Sequence, residues 1–440
     1  MIFASTKNPR LRIDFSRGVF QGLAPDGGLY HPVETPDLSR LFKSLSPRTD
    51  FTDLASQVTA ELLKDEITSH QAGEICGRAF TFAPRLVYLP PDPEAPENSG
   101  PAILELYHGP SCAFKDFGAC FLASCMEEFL GTEKREAVIL TATSGDTGSA
   151  VAQAFHHKKN IEVVILYPSG RVSPLQEKQL TTLGGNIRAL EVQGSFDDCQ
   201  AMVKAAFVDP VLIKRLTLSS ANSINIGRLI PQAFYYLWAW IKTEQKELRF
   251  CVPSGNFGNL TAGVLAWTWG MGVSGFLAAT NRNNVVPEYL NTGQYRPRPS
   301  LQTCSNAMDV GSPSNFDRLL AIFKGDWKKM REVMSGAEVN DENTLKTIAQ
   351  VYREKAYLMD PHTAVGYHAG MGFRKKHPAA EPLVILSTAH PGKFAEVIEK
   401  AVNQSPPLPA ALSALADKPK QAVLIDSNFQ SLKDFLLKNY

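Results

Sequence analysis

Residues 137–167 read AVILTATSGDTGSAVAQAFHHKKNIEVVILY, and this stretch decides the fold class. Residues 137–141 and 162–167 are β-prone runs, apolar but for Thr141 and Glu162 at their ends, and 147–157 between them carry a helical pattern. A strand without polar alternation is covered on both faces, which is the condition of a parallel sheet whose crossovers are helices. The glycine-bearing turn TATSGDTG lies where strand passes to helix, the position at which open α/β sheets present unpaired backbone N–H groups to a ligand.

Outward from this unit the alternation continues. Strands are predicted at 187–192, 216–219, 248–252, 275–279 and 383–386, and helices at 174–183, 197–207, 225–243 and 258–269. The fold class expected is α/β, with two open, doubly wound, mostly parallel sheet domains flanking a cleft and an N-terminal extension in addition. The expected division is an N-terminal extension over 1–90, a large domain from 91–120 and 216–440, and a small α/β domain over 121–215. Residues 50–80 read as acidic, amphipathic and helical. The proline-rich run 89–96 reads as a linker, and 295–300 and 404–412 as extended connections.

Composition narrows the function. A formal charge of +1 gives no field for nucleic acid or anionic lipid, so the expected partner is a small molecule bound in a local pocket. Residues 260–280 are apolar enough to test for a membrane span, but Gly263, Gly270, Gly272 and Gly275 interrupt them, and a buried helix followed by a strand accounts for the same residues. Seven cysteines without a CxxC pair, and an N-terminus carrying Lys7, Arg10, Arg12 and Asp14, predict a reducing cytoplasm and no export. The nine histidines show no metal-binding spacing, and GxxxxGK[ST] does not occur.

The chemistry concentrates in four segments. In HGPSCAFKDFGA, residues 108–119, Lys115 stands among small residues, two phenylalanines and Asp116. Apolar packing lowers a lysine pKa and frees the amine to attack an aldehyde carbon. Lys-Asp-Phe-Gly also occurs in kinases, but no glycine-rich strand loop or HRD loop accompanies it here. The turn with Ser144, Asp146 and Thr147 offers hydroxyls, amides and a helix dipole to an anion, or is a plain capped turn. PSGNFGN, residues 253–259, can wrap a phosphate with the backbone of Gly255, Asn256, Phe257, Gly258 and Asn259. STAHPGK, residues 387–393, opens at a strand end. Thr388 there is either a ligand hydroxyl or a helix cap, and His390 and Lys393 read as a surface turn.

These segments, in this order, resemble the threonine synthases, pyridoxal 5'-phosphate (PLP) enzymes of the tryptophan-synthase β-subunit family. The similarity extends from GLAPDGGLY at 22–30 to NAMD at 306–309. Ser111-Cys112 stand where the family usually has Thr-Leu, and Asp146 where related loops commonly have Asn. The resemblance implies Lys115 as PLP tether and base, residues 255–259 on the cofactor phosphate, Thr388 on the pyridine nitrogen and Asp146 near the ring oxygen. It also implies Ser144 and Thr147 as substrate-binding. Ser173, Lys178, Asn222 and Asn225, together with Arg171, are implied around the phosphate of O-phospho-L-homoserine. The implied reaction is γ-elimination of phosphate followed by β-addition of water, giving L-threonine. A monomer or homodimer is expected. A threonine or serine dehydratase-like lyase and a noncatalytic PLP- or amino-acid-binding homologue are the alternatives.

Overall fold

The computed structural model describes residues 1–91, 100–133, 136–143, 145–244, 247–377, 382–415 and 417–440. Two parallel sheets dominate. The larger runs Met334–Glu338, Val273–Thr280, Leu248–Pro253, Leu383–Ser387, Ala102–Glu105, Arg85–Tyr88, and all its pairings are parallel except the last. The second runs Val423–Asp426, Ile187–Gln193, Ile161–Pro168, Ala137–Ala142, Leu218–Ser219 and is parallel throughout. The α/β expectation holds, and the strand read at 137–141 is buried at every position of Ala137–Ala142.

Sheet membership departs from the expected domain division at three places, the first being Arg85–Tyr88, which pairs with Ala102–Glu105 in the larger sheet although 1–90 is the expected N-terminal extension. Leu218–Ser219 pairs with Val138 and Ile139, and Val423–Asp426 pairs with Leu190 to Gln193, so both belong to the second sheet although 216–440 was assigned to the large domain. Val423–Asp426 is short and mostly exposed, so it lacks the apolar run that marked the other strands. The helix expected over 225–243 is two, Ile226–Leu229 and Gln232–Lys242, because Pro231 has no N–H to continue the ladder. The linker expected at 89–96 falls largely outside the described residues. Residues 260–280 form most of helix Gly258–Thr268 and strand Val273–Thr280, and no helix among the described residues is long and apolar enough to cross a membrane.

The N-terminal region opens with a three-stranded antiparallel sheet, Arg12–Asp14, Ile2–Ser5, Tyr30–Pro32. The helical section expected at 50–80 is Phe51–Leu62 and Ser69–Ala79, the second started by a capping box between Thr68 and Gln71. Both pack towards the helix that begins at Lys115. Phe117 on that helix meets Phe51, Phe82 and Tyr235 with ring centroids 5.2, 5.0 and 5.3 Å away. The fully buried Arg318 donates to Tyr30 O and Ile224 O at 2.8 and 2.6 Å, fastening the N-terminal sheet to the body of the molecule.

Candidate active site

Lys115 is the first residue of helix Lys115–Glu133, and the segment before it lies beside the turn after strand Leu383–Ser387. Phe114 N donates to Thr388 O at 2.8 Å, His390 N donates to Cys112 O at 3.1 Å, and Ala113 bridges Ala389. Cys112, at φ 57°, takes the left-handed conformation that this approach requires. The lysine motif and the Thr388 turn, nearly 280 positions apart, are thereby one surface.

The Lys115 side chain is 19% exposed, with Nζ 5.3 Å from the Phe114 ring centroid and 3.8 Å from Asp146 Oδ2. Burial pushes its pKa below the ordinary lysine value. Asp146 pulls it back up, and Lys393 and Arg228 add to the lowering. Such an amine gives up its proton more readily than a surface lysine.

Asp146 begins helix Asp146–Phe155. Its Oδ1 lies 2.7 Å from Lys393 Nζ and accepts from Gln176 Nε2 at 3.3 Å. Burial works to raise this carboxyl, but the Lys393 and Lys115 ammoniums outweigh it and hold Asp146 well below the usual range. Lys393 has a fully buried side chain and also donates to Ser111 O at 2.7 Å. The expected surface turn is therefore corrected: Lys393 is an interior cation of the site, and His390 caps the short 3₁₀ helix Pro391–Phe394 by accepting from Gly392 N at 3.0 Å. Lys393 was missed because Gly-Lys after a proline has the composition of a loop. Its place five residues after Thr388 on the same strand end was the available signal.

At the SGDTG turn Thr143 Oγ1 gathers the N–H groups of Gly145 and Gly148 at 3.1 and 2.9 Å. The N–H groups of Asp146 and Thr147 make no hydrogen bond to protein among the described residues, and Thr147 is half-buried. Ser144 lies outside the described residues.

The third loop follows strand Leu248–Pro253. Phe257 at φ 61° turns the chain into helix Gly258–Thr268, which has no side-chain cap. The backbone N–H groups of residues 255–260 donate to no protein group among the described residues. Gly255 is required here, since a Cβ would stand 2.7 Å from Met308 Cα. The asparagine side chains brace the loop. Asn256 donates to Ser223 Oγ at 2.9 Å and accepts from Ser314 N at 2.6 Å, while Asn259 Oδ1 accepts from the Tyr235 and Tyr236 hydroxyls at 2.6 and 2.7 Å. An amine, a run of free amides at a helix start and the nearly buried Thr388 match the aldehyde, phosphate and ring nitrogen of PLP.

The residues expected at a second phosphate are less alike. Ser173 is exposed and caps helix Pro174–Thr181 by accepting from Gln176 N at 3.3 Å. Lys178 on that helix is half-buried and donates Nζ to Lys418 O. Arg171 is exposed and Asn222 half-buried. Asn225 is fully buried: its Nδ2 donates to Val19 O and Ser220 O at 2.8 and 2.9 Å, and its Oδ1 accepts from Gly227 N at 2.9 Å. Those bonds make it an internal brace and cap rather than a free donor.

Residues 102–389 match the family model described as pyridoxal-phosphate dependent enzyme, residues 2–80 that of the threonine synthase N terminus, and residues 363–436 that of the threonine synthase C-terminal region. A threonine synthase of Serratia marcescens is 40% identical over 434 residues, covering 98% of this chain and 98% of its own. The crystal structure of threonine synthase from Escherichia coli superposes with a TM-score of 0.88 at 38% identity, covering 100% of both chains. That of PLP-bound threonine synthase from Brucella melitensis superposes at 0.91 with 32% identity, covering 99% of this chain and 98% of its own.

Proposed function

The chain belongs to the threonine synthase family of pyridoxal-phosphate-dependent enzymes, and from that premise we propose that it converts O-phospho-L-homoserine and water into L-threonine and inorganic phosphate. PLP, when bound, supplies the electron sink that stabilises carbanions beside the substrate nitrogen. Lys115 holds the cofactor through its aldehyde carbon, and its amine removes the substrate α-proton. A pKa lowered by burial suits both tasks. The free amides of 255–260 hold the cofactor phosphate, and the Thr388 hydroxyl faces the ring nitrogen. Asp146 faces the ring oxygen with its charge balanced by Lys393.

The free N–H groups of Asp146 and Thr147, with the hydroxyls of Thr147 and Ser144, receive the substrate carboxylate. Ser173, Lys178 and Asn222 receive the substrate phosphate, with Lys178 exchanging the Lys418 carbonyl for it. We place the enzyme in the cytoplasm, a reading supported by its free cysteines, and take it to act as a monomer or homodimer.

One observation carries this reading: Lys115 Nζ stands 3.8 Å from a carboxylate already paired with a second buried lysine, at a helix start with free amides. The test is to incubate the purified protein with O-phospho-L-homoserine and measure phosphate and threonine, and separately with threonine and measure ammonia and keto acid. Stoichiometric phosphate and threonine are expected. Ammonia release from threonine with no phosphate release would replace the reading with a dehydratase.

A further inference from the structure

His362 and Asp360 are buried together, with side chains 3% and 0% exposed, and the chemistry above does not use them. Resting on the reading of residues 255–260 as the cofactor-phosphate cradle, we propose that His362, oriented by Asp360, is a positioning residue that holds the wall behind that cradle.

Asp360 caps helix Pro361–Lys376. Its Oδ1 accepts from His362 N at 2.9 Å and from His362 Nδ1 at 2.7 Å. On the other side of the ring, His362 Nε2 accepts from Ala307 N at 3.1 Å. An acceptor at Nε2 requires the hydrogen to sit on Nδ1, so the two bonds select one tautomer and one ring orientation. The Phe394 ring, 4.8 Å away and edge-on, closes a third side.

Ala307 belongs to the 3₁₀ turn Asn306–Met308. This turn backs the glycine loop so closely that a Cβ on Gly255 would stand 2.7 Å from Met308 Cα and 3.0 Å from Ala307 O. Moving the turn inward meets the loop, and moving it outward breaks the bond to His362. The flanks of the turn are held separately, because Asn281 Nδ2 donates to Thr303 Oγ1 before it and to Asp309 Oδ1 after it, each at 2.8 Å. His362 thus anchors the turn at Ala307, whose carbonyl oxygen would stand 3.0 Å from a Cβ on Gly255.

Asp360 has a second arm. Its Oδ2 accepts from Thr363 Oγ1, which in turn meets Ser387 Oγ at 2.9 Å, one residue before Thr388. One carboxylate therefore ties together the backing of the phosphate cradle and the strand end that carries the ring-nitrogen contact. A buried carboxylate is costly unless several donors satisfy it, and apolar residues of similar volume would pack as well. What apolar residues cannot provide is direction.

The test compares binding of PLP with that of pyridoxal, which lacks the phosphate, to the cofactor-stripped full chain by absorbance titration. His362→Leu keeps bulk and removes the acceptor, whereas His362→Gln restores an acceptor oxygen. The Leu variant is expected to bind PLP about tenfold more weakly with pyridoxal affinity unchanged, and the Gln variant to recover most of the loss. Equal weakening towards both ligands, or unchanged PLP affinity, would overturn the proposal. Should the Leu variant not fold, His362→Asn, polar but too short to reach Ala307, carries the same expectation. A wild-type chain that binds the two ligands equally well would remove the cradle reading itself, and the inference with it.

Discussion

Lys393 Nζ and Asp146 Oδ1 are 2.7 Å apart, with the lysine side chain fully buried and the aspartate 4% exposed. Lys115 faces the other oxygen of the same carboxylate at 3.8 Å. One buried negative charge is thus shared by two cations, and Lys393, the nearer, sets how much of it Lys115 feels. The pairing keeps Asp146 ionised in an interior that would otherwise protonate it.

Breaking this pair from one side leaves a buried charge with a single, more distant partner. Lys393→Met is expected to cost roughly 3 kcal/mol of stability. The double variant Lys393→Met, Asp146→Asn should be more stable than Lys393→Met alone, because the orphaned charge is gone. Urea unfolding of the wild type, Lys393→Met, Asp146→Asn and the double variant measures the coupling; simple additivity of the single effects would refute it.

Lys115→Ala removes tether and base together. Turnover should fall by roughly 10³-fold or more, and borohydride should no longer trap the cofactor on the chain. Stability should hold or rise, since an ammonium disfavoured by burial has been removed. Retained turnover, assayed as phosphate release, would refute the assignment.

Asp116 titrates unusually. Burial lifts its carboxyl to about 6, against the lowering effect of the hydrogen bonds from Ser111. The folded chain binds this proton more readily than the unfolded chain, whose carboxyl keeps its ordinary value of 3.8. Its stabilising contribution is therefore complete below that value and is lost as the pH rises through about 6. Asp116→Asn should remove this decline, so that the variant gains on the wild type across that interval and is the more stable at neutral pH. Parallel unfolding profiles for the two proteins from acid to neutral pH would exclude it.

Lys178→Met tests the substrate phosphate site apart from the cofactor. Loss of one charge-assisted contact should raise KM for O-phospho-L-homoserine about tenfold, with kcat and PLP affinity little changed. A loss of melting temperature without a change in KM would instead assign Lys178 to fastening the C-terminal segment through Lys418.

Local pattern was enough for the strands between 137 and 387 other than Met334–Glu338, whose sequence MSGAE carries no apolar run, and for the glycine-bearing loops at 143–148 and 253–259. Unbroken apolar runs report burial on both faces, and glycines at strand ends report turns that other residues cannot make. Lys115 was legible for the same reason, because small and aromatic neighbours in the chain announce its surroundings. Asn225 shows the limit: its composition suits a ligand site, and only its bonds to Val19 and Ser220 show it occupied as a brace.

Tertiary structure alone decided the rest. That Lys393 reaches Asp146, that His362 supports a turn 55 residues upstream, and that residues 423–426 join the sheet of 187–193 all depend on where the chain returns after long excursions. The linear pattern encodes which positions are buried and how the backbone turns. Which buried polar groups meet is settled when the elements pack, because a charge or donor removed from water must find its partner in space, whatever its distance along the chain.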